Sequence, residues 1–122
     1  ARARVTGGSF RDDSLPEGAD AISLIRVLYD HSDETVTALL AKIYAALPSG
    51  GRLIVSEPMT GGARPTRAGD AYFALYTLAM RTGRTRSAGE IAALCRGAGF
   101  EDINTPAPRR AFVTSCLEAR KP

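Results

Sequence analysis

Hydrophobic positions along this chain recur first at one period and then at another, so strands and helices are expected to alternate. Residues 19–28, "ADAISLIRVL", are rich in branched apolar side chains and predict a strand covered on both faces. Ser32, Asp33 and Glu34 then offer an N-cap and an acidic first turn. Val36, Leu39, Leu40, Ile43, Tyr44 and Leu47 follow at the spacing of one buried helical face, and "PSGG", residues 48–51, stops that helix. "RLIVSEP", residues 52–58, reads as a second buried strand. The helix between them makes a right-handed crossover, which pairs the two strands in parallel.

Beyond a Gly/Pro loop, "AGDAYFALYTLAMRTG", residues 68–83, is helical in pattern but apolar nearly all round. Tyr72, Phe73, Tyr76 and Met80 mark one face, while Leu75, Leu78 and Ala79 cover others. Such a helix is expected to be buried against more than one surface, as core, substrate pocket or subunit interface. Ser87 and Glu90 form an S-x-x-E capping box ahead of Ile91, Leu94, Cys95 and Ala98, and Gly97 and Gly99 end that helix. Strands are expected at 101–105 and 111–119, and the short link between them requires antiparallel pairing. The opening "RARVTGGSF" looks like the end of a further strand. The pattern as a whole predicts an α/β fold, a mostly parallel sheet with an antiparallel terminal hairpin.

Composition adds limits. With 122 residues, 44% hydrophobic and 24% charged, the chain suits one soluble domain with an ordinary core. Its formal charge of +3 comes mainly from scattered arginines, which form no helical stripe interleaved with aromatics, so no nucleic-acid partner is expected. No run approaches the roughly 18 apolar residues of a membrane span, and "ARARVTGGSF" lacks a signal-peptide block; a cytoplasmic setting is expected. Cys95 and Cys116 lack metal-ligand spacing, so reduced, buried thiols and no metal site are expected. Gly7-Gly8 and Gly61-Gly62 are isolated pairs that read as turns.

In an open parallel sheet, ligands bind beyond the carboxyl ends of the strands. Tyr29 follows one such end, Glu57 closes the other, and Ser9 and Phe10 point toward the same edge. Adjacent strands lie about 4.8 Å apart, so these side chains can share a crevice. Tyr29 could hold or polarise a substrate oxygen, with Glu57 orienting it or accepting a proton; alternatively they cover the sheet edge and cap a loop. His31, the one histidine, stands before a helix N-terminus whose dipole keeps the ring neutral, so it rivals Tyr29 as a base or is simply structural.

"GGSF", "ADAISLIRVLYDHSDE", "LLAKIYAALPSGGRLIVSEPM", "GRTRSAGEIAALCRGAGF" and "AFVTSCLEARK" occur in an order that resembles S-adenosylmethionine-dependent O-methyltransferases of the plant caffeate type and their bacterial relatives. "RVLYDHSD" and "GGSFRDDSLP" are most similar to the carotenoid hydroxyl methyltransferases of purple photosynthetic bacteria, which act on hydroxyneurosporene and demethylspheroidene. The resemblance implies a Rossmann-like class I methyltransferase fold, of which residues 1–122 are a partial catalytic domain supplying the third to seventh strands. The Gly-rich cofactor loop and an N-terminal helical dimerisation domain would lie outside this sequence, and the fragment alone would be inactive. It further implies S-adenosylmethionine as cofactor, a hydrophobic hydroxylated substrate that brings the enzyme near membrane surfaces, and a homodimer.

Carried over by residue, the family's catalytic histidine falls on Tyr29, with His31 at a tryptophan position and Glu57, a candidate catalytic group here, at the family's glutamate after the fifth strand. A second glutamate falls on Thr85, with Arg86 retained beside it. The cofactor segment reads Gly7, Gly8, Ser9, Phe10, and the basic residue of the fourth strand is displaced to Arg26. Tyr72, Phe73, Tyr76, Met80 and Thr85 would then line the substrate pocket. The competing expectation is a non-catalytic methyltransferase-like module used for binding or dimerisation.

Overall fold

A computed structural model describes residues 3–61, 67–107 and 114–122. Four strands, β1 (Ala21–Ile25), β2 (Arg52–Glu57), β3 (Glu101–Asn104) and β4 (Ser115–Arg120), form one sheet in the order β1-β2-β4-β3. β1 and β2 run parallel, with Ala21 opposite Arg52 and Ile25 opposite Ser56. β4 enters between β2 and β3 and is antiparallel to both. The terminal antiparallel pair is therefore present; residues 111–113 of the expected last strand lie outside the described residues.

Helix α1 (Asp33–Ala46) begins where predicted, with the Ser32 hydroxyl accepting from the Thr35 amide; such a cap stabilises by about 1 kcal/mol. It buries Val36, Leu39, Leu40 and Ile43, each burial contributing roughly 1.5–3 kcal/mol. Helix α3 (Ala88–Gly97) carries the full capping box: Ser87 accepts from the Glu90 amide while the Glu90 carboxylate accepts from the Ser87 amide. Ile91, Ala92 and Cys95 of α3 join the α1 row over Leu24, Leu53, Val55, Leu117 and Ala119 in one core. Lys121 closes the far end of α1, donating to the Tyr44 and Leu47 carbonyls at 2.8 and 2.7 Å.

The structure corrects several expectations. Among the described residues β1 is an edge strand, and of its side chains only Leu24 is fully buried; Ala21, Ser23 and Ile25 are exposed, because α1 and α3 share one core over the face that carries Leu24. Residues 3–9 form no strand, and residues 10–12 close a turn instead. Cys95 is buried, which pushes its thiol up to about 11, but Cys116 is only half-buried. Helix α2 (Arg67–Met80) is not enclosed on several sides: Phe73 and Thr77 face inward, whereas Tyr72, Leu75 and Leu78 are 63%, 65% and 74% exposed. It packs on the single turn that follows β1, and much of its remaining apolar surface is exposed.

Candidate active site

The carboxyl end of β1 turns sharply. Arg26 adopts φ +57°, a left-handed conformation uncommon for a residue with a side chain and often stored at functional sites. The chain then enters a 3-10 turn, Leu28–Asp30, that buries Leu28 and Tyr29 before Ser32 starts α1. Glu57, the last residue of β2, lies beneath this turn, fully buried, with Oε2 accepting from the Leu28 amide at 2.9 Å. Its Oε1 has no partner among the described residues, nor has Asp30 Oδ1. Burial pushes the Glu57 carboxyl up to about 7; the Leu28 and Tyr29 amides and the Arg86 cation pull against that rise, and Asp30 adds to it.

The Tyr29 ring leans toward α2, with Tyr76 at 5.7 Å and Phe73 at 6.1 Å between ring centroids. Arg26 donates to the Tyr29 hydroxyl at 3.4 Å and places its guanidinium 5.9 Å from that ring. The Tyr76 hydroxyl is raised above the ordinary phenol range, chiefly by its hydrogen bond with Tyr29. His31 leads in another direction. Its Nδ1 accepts from Arg11 at 3.2 Å, and its ring meets the Phe10 edge at 5.1 Å. Burial first, and Arg11 second, lower its pKa, which favours the neutral imidazole.

One turn thus carries Tyr29 and His31 toward different neighbours and rests on Glu57: Arg26, Phe73 and Tyr76 come to Tyr29, Phe10 and Arg11 to His31, and Glu57 holds the Leu28 amide. Ser9 is engaged locally, its hydroxyl donating to Asp12 at 2.9 Å and its amide to Asp13 at 2.7 Å. Tyr72 stacks edge-on with Phe73 and is largely exposed, Met80 is half exposed, and Thr85 is half-buried beside Arg86. Two further residues hold the turn: Arg86, which the sequence marked only as retained beside Thr85, and Gly83, which it did not mark. Arg86, fully buried, donates from Nη1 to the Leu28 carbonyl and from Nη2 to the His31 carbonyl, both at 2.9 Å. Gly83, at φ +76°, lies so close that an added Cβ would run into the Tyr29 carbonyl and come within 2.6 Å of the His31 nitrogen. Retention beside Thr85 was the available signal for Arg86; Gly83 gave none.

Residues 1–101 match the model of the O-methyltransferase domain. The chain belongs to that family. It is 60% identical to demethylspheroidene O-methyltransferase of Cereibacter sphaeroides over 99% of this chain and 32% of the relative, and 59% identical to the Rhodobacter capsulatus enzyme over 93% and 29%. The chain therefore spans about three-tenths of the length of these relatives. Human N-acetylserotonin methyltransferase in complex with S-adenosylmethionine superposes with a TM-score of 0.86 at 30% identity, covering 95% of this chain and 33% of that one. These O-methyltransferases share the family's class I fold, in which β1–β2 is the parallel portion described above. No described helix is long and apolar enough to cross a membrane, and no described cluster of His, Cys, Asp and Glu could hold a metal.

The residues present fit part of S-adenosylmethionine. A hollow of about 160 Å³ lies beside Ser9 and Phe10, lined also by Gly7, Gly8 and Leu15. A sulfonium is a cation, and the Tyr29 ring with Phe73 and Tyr76 beside it is the kind of aromatic surface that attracts one.

Proposed function

We propose that the polypeptide carrying this domain is an S-adenosylmethionine-dependent O-methyltransferase acting on a hydroxyl of a carotenoid of the hydroxyneurosporene or demethylspheroidene type. The observation that supports this most directly is the 60% identity, across 99% of the chain, to an enzyme named for demethylspheroidene. Residues 1–122 would be part of its catalytic domain, the Gly-rich cofactor loop and a helical domain being supplied elsewhere in the protein. The setting would be cytoplasmic, near the membrane surfaces where polyenes reside. A homodimer belongs to the same proposal, supported by the outward apolar row of Tyr72, Leu75 and Leu78.

When bound, S-adenosylmethionine supplies an electrophilic methyl group. Ser9 and Phe10 would hold its adenine end, with Arg26 close by. The acceptor hydroxyl would be held by Tyr29, whose oxygen Arg26 fixes and whose ring Phe73 and Tyr76 brace. Aligning that oxygen in a dry pocket supplies much of the acceleration, because a saturated alcohol is a weak acid and loses its proton as, or after, the carbon–oxygen bond forms. The proton passes to Glu57 or His31: a carboxyl at about 7 is half ionised at neutral pH, and a neutral imidazole is a base. Phe73 and Tyr76, with Tyr72, Met80 and Thr85 toward the rim, would receive the polyene.

The test is incubation of the complete polypeptide with S-adenosylmethionine and hydroxyneurosporene or demethylspheroidene, followed by mass spectrometry. Gain of one methyl by the polyene is the expected result. Donor binding by calorimetry without transfer to any hydroxylated polyene would defeat the substrate reading, and absence of donor binding would favour a non-catalytic module.

A further inference from the structure

We propose that Arg86 is the positioning residue of this site, a buried clasp that ties the loops after β1 and β2 together and so fixes where Tyr29 and Glu57 stand. The inference rests on the methyl-transfer reading for its kinetic readout but not for its structural one.

The distribution of the Arg86 bonds carries it. Nη1 and Nη2 donate to the Leu28 and His31 carbonyls, the groups that flank the Tyr29–Asp30 segment. Nε donates to Asp33 at 2.8 Å in the first turn of α1, and Nη1 also reaches the Arg84 carbonyl at 3.2 Å. The Arg86 main chain pairs with the strand exit that follows Glu57: its carbonyl accepts from the Thr60 amide at 3.0 Å, and Met59 and Arg86 form a parallel bridge. One residue therefore bonds the turn that carries Tyr29 and the segment just past Glu57. Gly83 lets the Arg86 loop approach, since any side chain there would strike the Tyr29–His31 backbone. Arg84 reinforces the clasp from outside, bridging Asp33 at 3.0 Å and Glu90 at 2.8 Å.

A planar guanidinium serves this role because its fork donates in several fixed directions, whereas an ammonium is a point charge on a flexible stem. The clasp also has an electrostatic side. Glu57 faces Asp30 and Arg86, and His31 faces Arg11, Asp30 and Arg86; at both, the Arg86 cation favours the proton-free form. Whichever of the two takes the substrate proton, loss of that cation moves its titration upward.

The test compares R86K and R86Q in the complete enzyme, with folding followed by circular dichroism. R86K keeps the charge and loses the fork; kcat is expected to fall about 10–100-fold, as for displacements of order 1 Å, while S-adenosylmethionine affinity by calorimetry stays within about 2-fold. R86Q is expected in addition to move the acidic limb of the kcat/KM profile to higher pH than in R86K. Unchanged kcat in folded R86K, equal loss of kcat and donor affinity, or coincident limbs in the two variants would overturn the proposal. Should either variant fail to fold, D33N loosens the same guanidinium from its half-exposed side. Faster amide exchange at Leu28 and His31, with a smaller loss of kcat, is then expected, and unchanged exchange would overturn the clasp. Exchange is read without turnover, so an enzyme that transfers no methyl at all would defeat the function and leave the clasp tested.

Discussion

Gly83→Ala is the substitution that presses hardest on the candidate site without touching a charge. Two costs combine. Alanine at φ +76° incurs the left-handed penalty, about 1–2 kcal/mol. The new methyl also runs into the Tyr29 and Asp30 backbone, which must shift, and overpacking of this kind costs about 1–3 kcal/mol. Together these predict a loss of roughly 2–5 kcal/mol, a large part of the ~5–15 kcal/mol that stabilises a typical domain. Gly50→Ala is the internal control: its φ is +78° and an added Cβ there meets nothing, so it carries the conformational cost alone. In thermal unfolding followed by circular dichroism, each kcal/mol lowers Tm by about 2–8 °C for domains of about 60–250 residues. Gly83→Ala should therefore fall below Gly50→Ala by roughly 2–24 °C and also lose turnover in the complete enzyme, because the displaced backbone is that of Tyr29. Equal Tm and equal turnover in the two variants would refute the close approach.

Glu57→Gln should stabilise the protein in a pH-dependent way. A carboxyl raised from 4.5 to about 7 contributes fully below pH 4.5, and its contribution is lost as pH rises through 7, by about 3 kcal/mol. The variant is thus expected to match the parent near pH 4 and to melt higher at pH 8, with methyl transfer reduced; a pH-independent difference in Tm would sink the assignment. The His31 ring should titrate below the usual histidine value by proton NMR, and Arg11→Ala should move it up. Because the folded-state pKa is lowered, this histidine weakens folding as pH falls through the ordinary histidine range, and Arg11→Ala should lessen that loss. In the core, Leu117→Ala should cost about 2–5 kcal/mol by denaturant titration, since Leu117 is fully buried on β4 between β2 and β3.

How far the sequence was legible follows from what each element depends on. α1 and α3 are local: Ser32 and the Ser87–Glu90 box start them, and their apolar rows face one sheet, so their positions could be read from the chain alone. The parallel β1–β2 pair followed from the crossover length, and the antiparallel end from a short link. The burial of β1 and α2 was not legible, because apolar content states that a surface wants cover but not whether these residues provide it; Ile25 is 57% exposed and Leu78 74%. At the site, a strand end before a capped helix drew attention to Tyr29, His31 and Glu57. Arg86 was visible only as a retained neighbour of Thr85 and Gly83 not at all, since they act across more than fifty residues through backbone groups that carry no side-chain signature.

Tyr29 is the centre of this account, and its hydroxyl can be removed with little change of shape. In the complete enzyme, Tyr29→Phe keeps the ring between Phe73 and Tyr76 and deletes only the oxygen that Arg26 holds. Single-turnover methyl transfer at saturating S-adenosylmethionine, with acceptor affinity measured in parallel, is the direct test. A rate about 10–100-fold lower, with acceptor affinity within roughly 3-fold of the parent, is the expected result. An undiminished rate with unchanged affinity would contradict it.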